Sequence, residues 1–206
     1  MILFELTNSE QHPAYQALEI SNGERHYSFL QSIVAASIGV GRPLLSQYLL
    51  KAINYHAIAC LHTNAGEYRP CEVTVGTHTP PQHFRVAALM DDFVNDVNRH
   101  WEAQDPVALA TYVLWRLNHI HPFINGNGRT ARAASYFVLC VKAGGWLEGD
   151  VILPELIRQN RAEHVEALRK VDESHASGQT DLTPLHEMIA RLLKEQLATN
   201  GTPAPQ

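Results

Sequence analysis

The chain has 206 residues, of which 45% are apolar and 18% charged, with a net charge of −5 at pH 7. This is an ordinary globular composition with enough apolar material for a core. The acidic balance argues against nucleic acid as the main partner, because that binding needs a broad basic face.

The cysteines and the chain ends place further limits on the class of protein. Cys60, Cys71 and Cys140 are too few and too scattered for a disulfide framework, and Cys60 and Cys140 lie in helical apolar patterns typical of core thiols. The first residues lack the basic stretch and apolar run of a signal peptide, and no segment reaches the ~18 apolar residues of a membrane span. We expect a cytoplasmic protein that contacts no membrane, although delivery into another cell through other signals stays open.

The N-terminal half predicts an irregular segment followed by two helices. Residues 1–23 contain the turn signals His12-Pro13 and Asn22-Gly23. Apolar residues at helical spacing then predict helices over residues 24–38 and roughly 44–62. We interpret the histidines of the second helix, His56 and His62, as surface or internally satisfied groups, since neither has a partner at metal-ligand spacing.

One short segment has the pattern of a β-strand. Cys71-Glu-Val-Thr-Val-Gly76 alternates and is rich in β-branched residues, and a run of Thr, His and Pro closes it. This pattern predicts a small β hairpin near residues 71–78. A third helix follows and ends near Trp101.

Two strongly apolar segments enclose a loop in the middle of the chain. Asp105-Pro106 is a capping residue followed by a proline at the first helical position, and no helix breaker follows before Asn118. The segment from Thr130 to Ala143 is again apolar on nearly every side, which is typical of the central helix of a core. The sequence therefore predicts a loop held between two buried helices.

Two more helices, opened by Pro154 and by Thr183-Pro184, complete the prediction. We expect an all-α fold, a helical bundle around a central buried helix with the hairpin near residues 71–78. We assign residues 1–198 to a single domain and residues 199–206 to a disordered tail.

The central loop combines residue types that suit a phosphate group. Gly126 and Gly128 permit positive φ and close approach of a ligand, and the free N–H groups of the next helix favour an anion. Arg129 and Arg132 share one helix face, and their guanidinium groups match phosphate oxygens. His121 can accept a proton near neutral pH. A base beside a phosphate site predicts phosphoryl or nucleotidyl transfer.

The loop resembles the signature of the Fic family, H-x-F-x-(D/E)-G-N-G-R-x-x-R. The residues that match are His121, Phe123, Gly126, Asn127, Gly128, Arg129 and Arg132. The resemblance, which covers about residues 50–145, implies an enzyme that transfers AMP from ATP to a Ser, Thr or Tyr hydroxyl of another protein. It implies that His121 deprotonates that hydroxyl and that Phe123 anchors the loop. It also implies that the glycines and arginines bind the phosphates, with Asn127 orienting the α-phosphate.

One position departs from the signature. Asn125 stands where the family has the acidic ligand of Mg²⁺. Mg²⁺ prefers carboxylate oxygens, and an amide oxygen brings no charge. We therefore expect Mg²⁺ to be held mainly by the triphosphate and water, with weak help from Asn125 and a reduced or altered activity.

The predicted hairpin also resembles a family element. Gly66-Glu-Tyr-Arg69 leads into it, as in Fic enzymes whose flap binds a target segment by strand addition. The resemblance implies that Val73, Thr74, Val75 and Gly76 form this target-binding flap. The alternative is a structural hairpin that binds no target, and we assign His78 and His83, which flank it, no role.

Regulation is predicted from a second family pattern, (S/T)-x-x-x-E-(G/A)-N, whose glutamate pairs with the second arginine of the signature, here Arg132. Thr183 to Glu187 matches only its first half, and a helix start already explains Thr183-Pro184. No good version exists near the N-terminus. We expect inhibition by a separate, antitoxin-like partner, or none.

Several alternatives stand beside AMP transfer. Doc-type relatives transfer a terminal phosphate, and other members use a different nucleotide or phosphocholine. Asn125 also fits a nucleotide-binding regulator without turnover. A zinc hydrolase built on His119 and His121 lacks carboxylate or thiol co-ligands nearby in the sequence.

Overall fold

The computed structural model of the chain describes residues 2–43, 45–76 and 78–198, so the predicted tail at 199–206 lies outside it. Across these ranges the secondary structure consists of helices, and the all-α prediction is confirmed. The helices are α1 Leu3–Thr7, α2 Pro13–Val40, α3 Gln47–Ile58, α4 Val86–His100, α5 Pro106–Ile120, α6 Asn127–Ala143, α7 Leu153–Gln159, α8 Arg161–Ala176 and α9 Thr183–Ala198. Within the described ranges, no helix has the length and hydropathy needed to cross a bilayer.

Helices α5 and α6 form the centre of the bundle. Both are buried along most of their length, and the Ser135 hydroxyl of α6 donates to the Ala110 carbonyl of α5 at 2.8 Å. The hydrophobic cluster that contains them extends from Leu30 on α2 to Leu192 on α9. The other helices therefore surround α6, the predicted central helix, and the loop that joins it to α5.

The N-terminal segment is more helical than its sequence predicts. The irregular segment predicted at residues 1–23 is wrong, because α1 forms there and α2 begins at Pro13. His12 accepts a hydrogen bond from the Ala14 N–H, so His12-Pro13 is a helix start rather than a turn. Asn22 is buried inside α2 and donates to the Ala59 carbonyl at 2.9 Å. This tertiary bond explains a polar, turn-forming residue within the helix.

Helix α3 ends at Ile58 rather than near residue 62. Ala59 leaves the helical conformation with ψ 129°, and Cys60 has a positive φ of 61°. Cys60 is exposed, so the prediction of a core thiol is wrong for it, whereas Cys140 is buried on α6 as expected. The apolar spacing of the sequence continues past the point where the backbone turns.

The hairpin predicted near residues 71–78 is not shown. The described part of this segment contains one antiparallel bridge, in which Val75 and His78 exchange main-chain hydrogen bonds of 3.2 and 2.9 Å. The described side chains of residues 71–78 are exposed except for the half-buried Val73 and His78. A two-stranded hairpin alone is marginal, and no neighbouring strand supports this one within the described ranges.

The segment that starts at Pro154 forms two helices instead of one. Asn160, with φ −94° and ψ 38°, separates α7 from α8, and its side chain donates to the Leu156 carbonyl at 2.9 Å. Helix α8 then packs against α5, where the Trp115 indole N–H donates to Asp172 at 2.9 Å. This contact brings an acidic residue of α8 close to the central loop.

Candidate active site

The predicted loop joins α5 to α6 through two residues with positive φ. His121 ends α5 with φ 50° and ψ 59°, and its N–H donates to the Leu117 carbonyl at 3.0 Å. Gly126 precedes α6 with φ 77°. A Cβ atom on Gly126 would lie 2.8 Å from the Ile58 Cγ2 atom and 3.0 Å from the Asn54 amide nitrogen. Glycine is therefore required by both conformation and space.

Helix α6 begins with free main-chain N–H groups. No side chain caps it, and the N–H groups of Asn127, Gly128 and Arg129 have no hydrogen-bond partner among the described residues. The Thr130 N–H is the first that is bonded, to the Gly126 carbonyl at 2.9 Å. Free donors at the positive end of a long buried helix form an anion-binding site.

The two arginines lie beside this helix start and differ in their ion pairing. Arg129 contacts the Glu19 carboxylate at 2.7 Å and the Asn125 side-chain oxygen at 3.2 Å. Arg132 forms no ion pair within the described ranges, and burial lowers the pKa of its guanidinium. Its Nη1 atom lies 3.3 Å from the point where Gly128 would carry a Cβ. A guest anion would meet Arg132 directly but would compete with Glu19 for Arg129.

The His121 imidazole is uncharged near neutral pH. Burial lowers its pKa to about 4, a hydrogen bond to the Asn118 backbone offsets part of this, and the nearby Arg69 adds to the lowering. The ring is partly exposed. A neutral imidazole that donates one nitrogen's proton to a carbonyl keeps the other nitrogen as an acceptor.

Arg69 is a site residue that the sequence analysis treated only as part of the segment before the flap. Arg69 is 2% exposed, and its guanidinium donates to the His121 carbonyl at 2.9 Å, to the Cys71 carbonyl at 3.0 Å and to the Pro81 carbonyl. Its own N–H donates to the Pro122 carbonyl at 2.8 Å. One buried guanidinium thus fastens the histidine loop to both ends of the flap segment.

Asn54 is a second site residue that no sequence motif indicates. It is fully buried on α3, and its amide group donates to the Asn125 carbonyl at 2.9 Å and to the Thr130 hydroxyl at 3.2 Å. Its side-chain oxygen accepts from the Gly66 N–H at 3.0 Å. The signal in the sequence is a lone amide among the apolar positions of α3. A buried polar group needs hydrogen-bond partners, so its presence there indicates contacts with other segments.

The Asn127 side chain forms hydrogen bonds within the loop itself. Its oxygen accepts from the Phe123 N–H at 2.9 Å, and its nitrogen donates to the Phe123 carbonyl at 2.8 Å. Phe123 itself is fully buried and bridges to Tyr68. In this conformation the side chain of Asn127 closes the loop, and its free group toward an anion is the main-chain N–H.

Asn125 is held by the N-terminal part of the chain. Its side-chain oxygen accepts from the Gly126 N–H at 2.6 Å, and its amide nitrogen lies 2.9 Å from the His62 Nε2 atom and 3.3 Å from Glu10. The Tyr15 hydroxyl also contacts His62, at 2.8 Å. His62 is therefore a satisfied histidine, as predicted, but it belongs to the site.

The N-terminal segment thus covers the loop in a way that the sequence did not indicate. Glu19 on α2 contacts Arg129, whereas Glu187, in the partial inhibitory pattern, is exposed and makes no contact with Arg132 among the described residues. An acidic residue at the mouth of the anion site comes from the N-terminal side instead.

The fold and the site together define a helical-bundle protein in which the N-terminus of a central helix, two arginines and a neutral histidine lie around one loop. A family model for the Fic/DOC family matches residues 44–139. The chain therefore matches the Fic/DOC family over the segment that carries the loop.

Relatives with known names or structures resemble the chain over different spans. A stretch of 133 residues, 64% of the chain, is 35% identical to the protein adenylyltransferase Fic of Drosophila persimilis, and the match spans 24% of that protein. A Fic-domain signaling protein of Bacteroides thetaiotaomicron superposes with a TM-score of 0.70 and 21% identity, covering 86% of this chain and 69% of that one. The structure of IbpAFic2 covalently tethered to Cdc42 gives a TM-score of 0.59 and 18% identity, covering 93% and 59%. The two structures show the fold alone.

Proposed function

We propose that the protein transfers AMP from ATP to a Ser, Thr or Tyr hydroxyl of a target protein. The observation that carries this proposal is the group of free N–H donors at the start of α6, flanked by Arg129 and Arg132 and facing a loop that begins at His121. The name of the Drosophila relative, protein adenylyltransferase Fic, supports the same reaction.

The phosphates of ATP would be bound mainly by the backbone. The N–H groups of Asn127, Gly128 and Arg129 would donate hydrogen bonds to the α- and β-phosphate oxygens, and Gly126 and Gly128 keep that approach free of side chains. The outer phosphates would lie against the guanidinium groups, which form paired hydrogen bonds with phosphate oxygens.

His121 would act as the general base. Its neutral ring takes the proton of the target hydroxyl, the oxygen attacks the α-phosphorus, and the bond to pyrophosphate breaks as the new P–O bond forms. Nearby negative phosphates favour a protonated imidazole, so a bound nucleotide would raise the pKa of His121 from about 4. The base therefore becomes stronger when its substrate is present.

The arrangement around Asn125 does not suit a dedicated Mg²⁺ site. Its side-chain oxygen is already engaged by the Gly126 N–H and by Arg129, which bears a positive charge. An uncharged oxygen in such surroundings is a poor ligand for Mg²⁺. We propose that any Mg²⁺ arrives on the nucleotide and is held by phosphate oxygens and water.

The segment from Val73 to Gly76 is proposed as the place where the target binds. Thr74, Val75 and Gly76 are exposed, and Arg69 fixes the segment next to His121. An extended target segment could add to this exposed backbone and bring its hydroxyl to the base. The tethering of a related Fic domain to Cdc42 supports a protein as substrate.

The proposal is tested by incubating the purified chain with cell lysate and ATP labelled at the α-phosphate. We expect labelled protein bands with the wild type and none with His121→Ala. His100→Ala, an exposed histidine at the end of α4, serves as the matched control and should label normally. Equal labelling by His121→Ala and the wild type would contradict the proposed base.

A second candidate reaction is transfer of the terminal phosphate. The uncharged Asn125 supports this alternative. Without a carboxylate-bound metal at the α- and β-phosphates, the donors for the outer phosphates carry more of the binding. Incorporation from γ-labelled ATP, with none from α-labelled ATP, would select this reaction.

A further inference from the structure

Three side chains outside the loop between α5 and α6 meet where the flap segment, α5 and α8 come together. The His119 Nδ1 atom lies 2.8 Å from one oxygen of Asp172, and the His78 Nδ1 atom lies 3.4 Å from the other. The candidate ligand atoms of all three residues lie within 4.8 Å of one another. The sequence suggested that His119 lacks a carboxylate co-ligand, but α8 supplies one from 53 positions away.

The hydrogen bonds of His78 determine where its proton lies. Its Nε2 atom is 2.9 Å from the His119 carbonyl oxygen, which can only accept, so Nε2 carries the hydrogen. In a neutral ring Nδ1 then has a lone pair, and this lone pair faces a carboxylate oxygen of Asp172. Two acceptors at this separation require a positive charge between them, either a second proton on His78 or a cation.

Asp172 is prepared to bind a cation. The indole N–H of Trp115 donates to the Asp172 carboxylate at 2.9 Å. Such outer hydrogen bonds, to a ligating carboxylate and to the far nitrogen of a ligating histidine, are typical of metal sites in proteins.

The site is partly shielded from solvent. The side chains of His78, His119 and Asp172 are 22, 17 and 24% exposed, and the ring of His175 packs at 5.0 Å from that of His119. A site that is neither open nor sealed lets an ion enter and keeps room for a water ligand.

We propose that His78, His119 and Asp172 bind one divalent transition-metal ion of the Zn²⁺ type. Two imidazoles and one carboxylate are ligands that Zn²⁺ accepts, with water in a fourth position, whereas Mg²⁺ prefers oxygen ligands. The ion would join the flap segment to α5 and α8 close to the His121 loop. This binding does not depend on the reaction proposed above.

The test measures Zn²⁺ binding to the full chain without a histidine tag. Cys60→Ser and Cys71→Ser form the background, because exposed thiols bind Zn²⁺ themselves. Competition with a chromogenic chelator should show one Zn²⁺ per chain that excess Mg²⁺ does not displace. We expect affinity to fall at least tenfold in Asp172→Asn and in His78→Gln, and about tenfold in Trp115→Phe through the lost hydrogen bond.

The matched control is a second histidine–carboxylate pair. His83 and Glu72 are also 2.8 Å apart, but no third ligand joins them among the described residues. His83→Gln should leave the Zn²⁺ affinity unchanged within twofold. Hydrogen exchange adds a second readout, since Zn²⁺ should slow exchange at residues 71–76 in the parent background but not in His78→Gln.

Two results would overturn the proposal. One is the absence of stoichiometric Zn²⁺ binding, which would leave a protonated His78 as the group that satisfies Asp172. The other is an equal loss of affinity in His83→Gln and His78→Gln, which would assign binding to scattered surface histidines. Because the readout is metal binding, neither result bears on label transfer from ATP.

Discussion

At the scale of single residues, Asn125 shows what an amide does in the position of an acid. Its oxygen receives the Gly126 N–H and Arg129, and its nitrogen faces His62 and Glu10. A carboxylate would keep the first two contacts but place a second negative oxygen toward Glu10. The surroundings are therefore fitted to a donor at this position.

Asn125→Asp should raise Mg²⁺-dependent transfer, because it restores a charged oxygen ligand. The increase should be larger in Asn125→Asp combined with Glu10→Gln, which removes the repulsion between the two carboxylates. Label transfer measured against Mg²⁺ concentration checks this. Asn125→Ala is the control, and a rise there, or no rise in the double variant, would refute our account of Asn125.

Glu19 is the second residue whose charge bears directly on the site. Its contact with Arg129 at 2.7 Å occupies a group that a phosphate would use. Glu19→Gln should lower the KM for ATP by about two- to fivefold, the fold-change that corresponds to a partly exposed ion pair. Glu24→Gln, an exposed acid on the same helix, is the control. A KM that moves equally in both variants would show a general charge effect instead.

The sequence identified the residues of the loop but not the residues that hold it. His121, Gly126 and the two arginines form a short local pattern whose chemistry follows from residue type and spacing. Asn54 and Arg69 act on carbonyl and N–H groups distant in sequence, and a single sequence gives no register for such contacts. Buried polar residues next to apolar ones are the available signal.

At the scale of elements, the central helices were predictable and the peripheral ones less so. Asp105-Pro106 marks the start of α5 and Gly144 the end of α6 with local caps, so these two bounds followed from the sequence, whereas α6 begins at Asn127, before the predicted Thr130. Helix α2 continues through Asn22-Gly23 because a tertiary hydrogen bond stabilises it. The flap segment has strand-forming residues but no partner strand in the described structure, so propensity alone overstated its order.

Arg69 connects two of these elements, and its replacement should disturb both. Arg69→Ala should lower the free energy of unfolding by roughly 3 kcal/mol, since three partly buried carbonyls lose a charged donor. Arg69→Lys keeps the charge but loses the fork, and kcat should fall about tenfold with the fold retained. Urea unfolding and label transfer measure the two effects. Arg85 is exposed, and Arg85→Lys should change neither quantity. A normal kcat in Arg69→Lys would show that the loop does not need the several donors of a guanidinium group.

At the scale of the whole molecule, buried histidines from different helices are kept neutral. Burial lowers the pKa of His26 on α2 and of His164 on α8 to about 4, and the positive Arg132 on α6 adds to both shifts. The Nε2 atoms of His26 and His164 have no hydrogen-bond partner among the residues that the structure describes. The pKa of His121 is lowered to about 4 as well. Protonation at low pH therefore destabilises the folded state at several histidines at once.

The sign of the resulting pH dependence follows from linkage. A histidine with a pKa near 6.5 in the unfolded chain and about 4 when folded binds more protons unfolded, so its stabilising contribution is complete above pH 6.5 and is lost as the pH falls toward 4. The wild type should therefore lose stability steeply between pH 7 and pH 5. For one fully buried histidine this loss is about 2 kcal/mol.

His164→Leu should reduce the loss between pH 7 and pH 5 by about that amount, because the variant has no proton to bind at this position. Leucine also leaves no buried nitrogen without a partner, so stability at pH 7 should change little relative to the difference at pH 5. Urea unfolding at the two pH values measures both numbers. Val165→Leu, at the exposed neighbouring position, should keep the full acid loss. Equal losses in His164→Leu and the wild type would mean that His164 is not held neutral in the folded chain.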